Sequence, residues 1–176
     1  MKDGNYYLIG PMGAGKTAVG RQLAKELGLG FVDVDAEIES RTGVDIPHIF
    51  DKEGEAGFRQ REEDMIGEIC KLTDVVVATG GGAILSPVTR QRLVSTGTVI
   101  YLETAIDEQL KRTTRSRNRP LLDTEDPRQV LEELMSIRKP LYESTADIRV
   151  DTTGRRVRQV TNTLRRRIRE RAALQN

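Results

Sequence analysis

The chain has 176 residues, and its 28 Lys and Arg nearly balance its 27 Asp and Glu, for a formal net charge of +1. The length suits one domain with a sheet covered on both faces, and the charge balance provides no global field towards nucleic acid or anionic membrane. The single cysteine, Cys70, and the single histidine, His48, exclude an internal disulfide and a Cys–His metal site. Because the sequence opens without an apolar signal region and contains no segment near 18 uninterrupted apolar residues, we expect a cytoplasmic protein.

Five short apolar runs are predicted to form strands. Nearly continuous apolar residues are typical of strands that are buried on both faces of a parallel sheet. The runs cover residues 6–9, 31–34, 75–78, 98–102 and, more weakly, 148–150.

Segments with apolar residues at helical spacing separate these runs. They cover residues 16–27, 55–72, 87–95, 105–115, 127–144 and about 155–172. The alternation of strands and helices implies right-handed crossovers and a doubly wound α/β fold, with a five-stranded parallel sheet and helices on both faces. We expect a single domain over residues 1–176.

The strongest motif lies at residues 10–17, which match G-x-x-x-x-G-K-[ST] in full between an apolar strand and an amphipathic helix. Glycines let backbone N–H groups point inward, and the helix N-terminus adds positive character towards phosphates. Lys16 offers a compact charge to the β- and γ-phosphates, and Thr17 offers a hydroxyl to Mg²⁺. The motif predicts ATP or GTP binding, and the absence of an Asn-Lys-x-Asp segment for guanine argues against a GTPase switch.

Two carboxylates, Asp33 and Asp35, follow the second predicted strand. Strand geometry would place both on one side, at the edge where doubly wound folds bind ligands. One could hold a water of Mg²⁺, and the other could orient or deprotonate an acceptor hydroxyl. The alternative is that either aspartate caps a helix that starts near Ala36.

The glycines at residues 80–82 directly follow the third predicted strand and would let a ligand meet bare backbone, although a flexible turn is the alternative. Arg59 and Arg138 could each grip a carboxylate with a planar guanidinium, but in a chain this rich in arginine each is by default a surface charge. Together with the two aspartates, these residues suggest an acceptor that carries both a carboxylate and a hydroxyl.

A charged segment between prolines, residues 115–127, interrupts the alternation of strands and helices. It is either an ordinary surface loop or a mobile lid, over about residues 112–126, that carries an arginine to the active site. The basic stretch at residues 165–169 is expected to be the solvated face of the last helix.

Six short motifs occur in a fixed order along the chain. They are Gly-Pro-Met-Gly-Ala-Gly-Lys, Phe-Val-Asp-Val-Asp, Gly-Phe-Arg-x-x-Glu, Ala-Thr-Gly-Gly-Gly, Arg-Pro-Leu-Leu and Arg-x-Pro-Leu-Tyr, at residues 10–16, 31–35, 57–62, 78–82, 119–122 and 138–142. The set resembles the shikimate kinase family over about residues 5–150. The first motif is common to many families, whereas the ordered set of the other five is far more specific.

The resemblance implies transfer of the γ-phosphate of ATP to the 3-hydroxyl of shikimate, with one Mg²⁺, in aromatic amino acid biosynthesis. It implies a P-loop fold with a mobile lid and an acceptor-binding region over about residues 33–61. The shikimate site would comprise Asp35, Arg59, Gly80, Gly81, Gly82 and Arg138. The arginines would take the carboxylate of shikimate, and Asp35 would position the 3-hydroxyl and accept its proton.

For the nucleotide, the resemblance implies a site made of Gly13, Ala14, Gly15, Lys16, Thr17, Ala18, Arg119 and Arg155. Lys16, Asp35 and Arg119 would act in catalysis, with Arg119 closing over the γ-phosphate and Arg155 lying where the family contacts adenine. Thr17 would ligate Mg²⁺, and Asp33 would reach the ion through water. Ala18 departs from the family pattern, because many members have a second hydroxyl at this position.

Two other functions stay open from the sequence. A gluconate kinase or nucleoside monophosphate kinase would share the architecture, although the aspartate pair and the two arginines argue against a nucleotide acceptor. A nucleotide-sensing module without catalysis, with a basic tail that binds nucleic acid, would show salt-dependent binding. The partners we predict are ATP and shikimate, with no nucleic acid and no membrane, and we expect a monomer.

Overall fold

The computed structural model describes residues 4–113 and 120–174. A parallel sheet of five strands forms the centre of this part of the chain, in the order β2-β3-β1-β4-β5. The strands are β1 (Tyr6–Ile9), β2 (Gly30–Asp33), β3 (Val75–Ala78), β4 (Thr98–Glu103) and β5 (Ile148–Asp151). All five predicted strands are confirmed, which agrees with the expectation that near-continuous apolar runs form buried parallel strands.

Helices connect the strands, as the alternating pattern predicts. They are α1 (Lys16–Leu27), α2 (Val34–Thr42), α3 (Ile46–Ile69), α4 (Pro87–Thr96), α5 (Ile106–Thr113), α6 (Pro127–Thr145) and α7 (Val157–Leu174). The predicted bounds are confirmed for α1 and are within one residue for α4 and α6. In the ranges 4–113 and 120–174, no helix has both the length and the apolar character needed to cross a bilayer.

The region after β2 differs most from the prediction. The helix predicted over residues 55–72 begins at Ile46, where Asp45 caps it by accepting a bond from the N–H of His48, and it ends at Ile69. Its axis is interrupted at Gly54, whose φ of 69° and ψ of −178° are not helical. The short helix α2 was predicted only as a possible start near Ala36, because two buried residues are too few for a clear periodic signal.

Helices cover both faces of the sheet, so the doubly wound arrangement is confirmed. Alternate residues of β1 point to opposite faces: Tyr7 packs with α2, α3, α4 and α6, whereas Leu8 packs with α1 and α7. On the second face, Leu23 of α1 and Leu164 of α7 are fully buried. Each strand is therefore held between two apolar layers.

The direction of the strands determines where the polar motifs meet. In a parallel sheet, all strands end at the same edge. The phosphate loop follows β1, the two aspartates stand where β2 passes into α2, and the glycines at residues 80–82 follow β3. Because β3 lies between β1 and β2, these three segments are neighbours at the carboxyl edge.

We predict that the apolar layer between α1 and the sheet is a main source of stability. Leu23→Ala removes a side chain with 0% exposure and should lower the free energy of unfolding by about 2–5 kcal/mol. Leu174→Ala is the matched control, because Leu174 is 88% exposed and the same truncation should change stability by no more than about 0.5 kcal/mol. Urea unfolding of both variants measures the difference, and equal losses would contradict the packing described above.

Candidate active site

The loop between β1 and α1 has a backbone suited to phosphate binding. Gly13 and Gly15 have positive φ angles of 75° and 88°, which residues other than glycine rarely adopt. Gly15 is also the N-cap of α1, and no side chain caps this helix. The partial positive charge of its first N–H groups is therefore left for a ligand.

Lys16 lies over this loop. Its Nζ donates hydrogen bonds to the carbonyl oxygens of Gly10, at 2.7 Å, and Pro11, at 2.8 Å. The ammonium group is thus held beside the backbone that the sequence predicts to bind phosphates.

Asp33 connects the first turns of two helices. Its Oδ2 accepts a hydrogen bond from the hydroxyl of Thr17 at 2.6 Å, and its Oδ1 accepts bonds from the backbone N–H groups of Asp35 and Ala36. Asp33 is therefore the N-cap of α2, as the alternative interpretation predicted. The prediction that Asp33 and Asp35 share one side of a strand is wrong, because β2 ends at Asp33 and the chain turns into α2.

A cavity of about 70 Å³ lies at the carboxyl edge, and all six residues predicted for the shikimate site line it. Its lining comprises Met12, Asp35, Ile46, Phe50, Phe58, Arg59, Glu62, Gly80, Gly81, Gly82, Leu121 and Arg138. We call it the acceptor cavity. It adjoins the phosphate loop at Gly81, where a Cβ would lie 3.5 Å from the backbone N of Met12. The structure therefore brings the two predicted sites together.

The acceptor cavity contains a buried ion pair. Arg59 Nη1 lies 2.8 Å from Oε2 of Glu62, whose side chain is only 2% exposed, and Arg59 Nη2 lies 3.1 Å from Glu55. Arg138, which is 3% exposed, lies close enough to Glu62 to favour its charged form. Burial nevertheless raises the pKa of the Glu62 carboxyl above its ordinary value, with Arg59 opposing the shift and Asp35 adding to it. Arg59 and Arg138 are thus cavity residues and not surface charges.

The glycines after β3 make room for this ion pair. A Cβ at Gly80 would overlap Oε1 of Glu62, and a Cβ at Gly82 would overlap the guanidinium of Arg59. Among the three, only Gly81 would keep ordinary contact distances, the nearest being 3.5 Å to Arg138. The sequence predicted bare backbone for a ligand, whereas the close approach at two of these glycines is to charged side chains of the protein itself.

Tyr142 supports the same segment from α6. Its hydroxyl donates to the carbonyl of Gly81, and its ring stacks on Tyr101 with centroids 4.9 Å apart. Burial raises the pKa of Tyr142 to about 12, so the hydroxyl stays protonated and remains a donor near neutral pH.

Sequence reasoning assigned no role to Glu62 or Arg112. Glu62 stands three residues after Arg59, a spacing that places both on one helix face and could have indicated the pair. Arg112 donates to the carbonyl oxygens of Gly13, at 3.0 Å, and Thr152, at 3.1 Å, and so joins α5 to the phosphate loop and to the end of β5. No local pattern indicates that contact.

The described residues do not test the predicted roles of Arg119 and Arg155. Arg119 lies outside the described residues, as do residues 114–118 of the predicted lid. Arg112, at the start of that lid, belongs to α5. Arg155 donates to the carbonyl of Asp151 and to the hydroxyl of Thr163, so its guanidinium joins β5 to α7. Neither contact bears on the predicted adenine role.

The described residues contain no cluster of three or more His, Cys, Asp or Glu that could hold a metal ion. Thr17 and Asp33 nevertheless offer two oxygen ligands at the phosphate loop, 2.6 Å apart. This donor set fits Mg²⁺, which takes one or two protein oxygens and completes its shell with water and phosphate.

Comparison with known proteins decides the family. The family model for shikimate kinase matches residues 12–169, which include most of the phosphate loop and all residues that line the acceptor cavity. The chain belongs to the shikimate kinase family. A shikimate kinase of Pseudomonas syringae pv. tomato is 56% identical over 89% of this chain and 91% of its own length. A shikimate kinase of Thioalkalivibrio sulfidiphilus is 56% identical over 92% of this chain and 85% of its own length.

A solved structure of the shikimate kinase family matches the fold throughout. The shikimate kinase from Acinetobacter baumannii, solved in complex with shikimate, is 47% identical and superimposes with a TM-score of 0.93. The match covers 95% of this chain and 93% of that one. The expected doubly wound P-loop fold is thereby confirmed as the fold of this family.

We predict that Glu62 makes stability depend on pH in a recognisable direction. A carboxyl whose pKa is raised by folding adds stability below its ordinary pKa of 4.5, and this contribution is lost as the pH rises through the raised value. The free energy of unfolding of the wild type minus that of Glu62→Gln should therefore fall as the pH rises from 4.5.

Glu68→Gln is the matched control on the same helix. A hydrogen bond from Lys71 lowers the pKa of the exposed Glu68, so this difference should instead grow as the pH rises towards 4.5. Urea unfolding over a pH series measures both differences. If the difference in unfolding free energy between the wild type and Glu62→Gln rose with pH, burial would not be the dominant effect on the pKa of Glu62.

Proposed function

We propose that the protein transfers the γ-phosphate of ATP to the 3-hydroxyl of shikimate, giving shikimate 3-phosphate and ADP in aromatic amino acid biosynthesis. The observation that carries the proposal is the acceptor cavity, where Asp35, Arg59 and Arg138 converge beside the phosphate loop. Membership of the shikimate kinase family over residues 12–169 supports this acceptor over gluconate or a nucleotide.

Arg59 and Arg138 would bind the carboxylate of shikimate. A guanidinium presents parallel N–H donors that match a carboxylate, and its charge is more effective in a partly dehydrated cavity. Glu62 would orient Arg59 by holding its Nη1 at 2.8 Å. With its carboxylate bound to the two arginines, shikimate would be oriented with its hydroxyls towards the carboxylate of Asp35.

The phosphate loop would hold the triphosphate through the N–H groups of residues 13–18. Lys16 would exchange its bonds to the Gly10 and Pro11 carbonyls for oxygens of the β- and γ-phosphates. Charge neutralisation and alignment are the main requirements of phosphoryl transfer, because its transition state is loose and metaphosphate-like.

Thr17 and Asp33 would hold Mg²⁺, Thr17 directly and Asp33 through water. When bound, the ion neutralises phosphate charge and fixes the position of the phosphate oxygens. Asp35 would orient the 3-hydroxyl and accept its proton as the oxygen attacks phosphorus. The lid role of Arg119 and the adenine contact of Arg155 stay predictions, as do a monomeric state, a cytoplasmic location and the absence of nucleic acid binding.

The proposal is tested by shikimate-dependent release of ADP. Purified protein with ATP and Mg²⁺ should release ADP much faster when shikimate is added. Lys16→Ala should lower this rate by about 100-fold or more, because it removes one cation from the developing charge. Lys139→Ala, at an exposed position of α6, should keep the wild-type rate. A rate of ADP release that does not respond to shikimate would overturn the proposal.

A second prediction separates binding from chemistry. Arg138→Lys keeps the charge but loses the paired N–H donors, so the KM for shikimate should rise by about 10- to 100-fold with a smaller change in kcat. The KM for ATP should stay near the wild-type value. Steady-state kinetics with each substrate varied in turn measures these constants, and an unchanged KM for shikimate would remove Arg138 from the acceptor site.

A further inference from the structure

A second cavity lies apart from the acceptor cavity. A cleft of about 800 Å³ opens between α2, α3 and α4, on the side of α3 away from the phosphate loop. Its lining comprises Ile38, Arg41, Thr42, Val44, His48, Ile49, Lys52, Glu53, Arg61, Asp64, Met65, Gly67, Glu68, Lys71 and Arg92. This volume falls within the range of about 300–1,000 Å³ that is usual for small-molecule sites. We call it the α3 cleft.

The α3 cleft does not share its walls with the acceptor cavity. Arg59 and Glu62 line the acceptor cavity, whereas Arg61 and Met65 line the cleft, and none of the residues that line one cavity lines the other. A molecule in the cleft would therefore not occupy the position proposed for shikimate.

The α3 cleft has an apolar floor. Ile38 of α2 and Ile49 and Met65 of α3 line it, and these side chains are 1%, 2% and 8% exposed. They belong to the larger of the two apolar layers that cover the sheet. The floor is therefore fixed by core packing and exposes little surface itself. Val44, which also lines the cleft and is 37% exposed, adds an apolar surface that a ring or a short hydrocarbon chain could contact.

The walls of the cleft carry five Lys and Arg and three Asp and Glu. Four of the five cations lie within ion-pair distance of a carboxylate: Arg41 of Glu37, Lys52 of Asp51, Arg61 of Glu53 and Lys71 of Glu68. The fifth cation is Arg92, which an incoming anion could reach without displacing a carboxylate.

Arg92 is the cation best placed to bind such an anion. Its Nη1 donates to the carbonyl oxygen of Glu63 at 2.9 Å, a contact that fixes the guanidinium but does not neutralise it. Within residues 4–113 and 120–174, no carboxylate lies within ion-pair distance of Arg92. The guanidinium passes directly over Gly67, where a Cβ would lie 2.8 Å from Nη1. The missing side chain at Gly67 thus allows Arg92 to reach the cleft wall.

We propose that the α3 cleft is a second ligand site, for a small organic anion with an apolar body and a carboxylate or phosphate group. The anionic group would bind Arg92, and the apolar body would lie against Val44 and Met65. This inference concerns a different cavity from the proposed transfer reaction and does not depend on that reaction.

His48 provides a direct readout. It is the single histidine of the chain and it lines the cleft, so its imidazole proton signals in an NMR spectrum report on binding near this part of α3, and the variants below locate the site. At a fixed, buffered pH, titration with benzoate and with phenyl phosphate should shift these signals and saturate. Benzylamine, which has the same ring and the opposite charge, should not. Inorganic phosphate should bind more weakly than phenyl phosphate, because it lacks the ring.

Three variants locate the binding site. Arg92→Gln should raise the Kd of benzoate and of phenyl phosphate by about tenfold or more, the usual effect of losing a charge-assisted hydrogen bond. Gly67→Ala should weaken it as well by displacing the guanidinium, although it removes no charge and favours the helix. Arg166→Gln, an exposed arginine of α7 paired with Glu170, is the matched control and should bind like the wild type.

Several results would overturn the proposal. These are the absence of a saturating shift at millimolar benzoate and phenyl phosphate, equal shifts with benzylamine, or unchanged affinity in both Arg92→Gln and Gly67→Ala. Inorganic phosphate that binds as tightly as phenyl phosphate would reject the apolar part of the site. Since ADP release is measured separately, failure here and failure of the proposed function are distinguishable.

Discussion

The organisation of the acceptor cavity depends on the buried ion pair between Arg59 and Glu62. Moving a carboxylate out of water is unfavourable unless cations and hydrogen bonds compensate for it. Arg59 lies 2.8 Å from Glu62, and Arg138 contributes a second positive charge nearby. A Cβ at position 80 or 82 would overlap the end of one of these side chains, which would then have to move. The glycines after β3 thus leave room for the charged groups of the cavity.

Side chains fix the elements around the phosphate loop in place. Asp33 caps α2 and accepts a bond from Thr17 at the start of α1, so the two helices that border the site share one carboxylate. Arg112 attaches the loop to α5 from the other side. Alignment of donor and acceptor depends on such fixed geometry, because misplacement by about 1 Å can lower a rate by about 100-fold.

Helix α3 separates two cavities of different character. On one side, charged groups are paired inside a cavity of about 70 Å³ next to the phosphate loop. On the other side, buried apolar side chains and the guanidinium of Arg92 border a cleft of about 800 Å³. Asp35, Arg59 and Arg138 converge on the smaller cavity, which is why we propose it as the site of the acceptor.

The sequence alone determined the features that depend on local patterns. The five strands, most helix bounds, the phosphate loop and the candidate residues Asp35, Arg59 and Arg138 all follow from apolar runs, spacing or ordered motifs. Only the tertiary structure decided that Asp33 caps a helix, that Glu62 is buried against Gly80, and that Arg112 holds the phosphate loop. These features depend on burial and on contacts between segments that are distant in the chain. The free-energy cost of removing a charge from water depends on those contacts and cannot be inferred from a local sequence pattern.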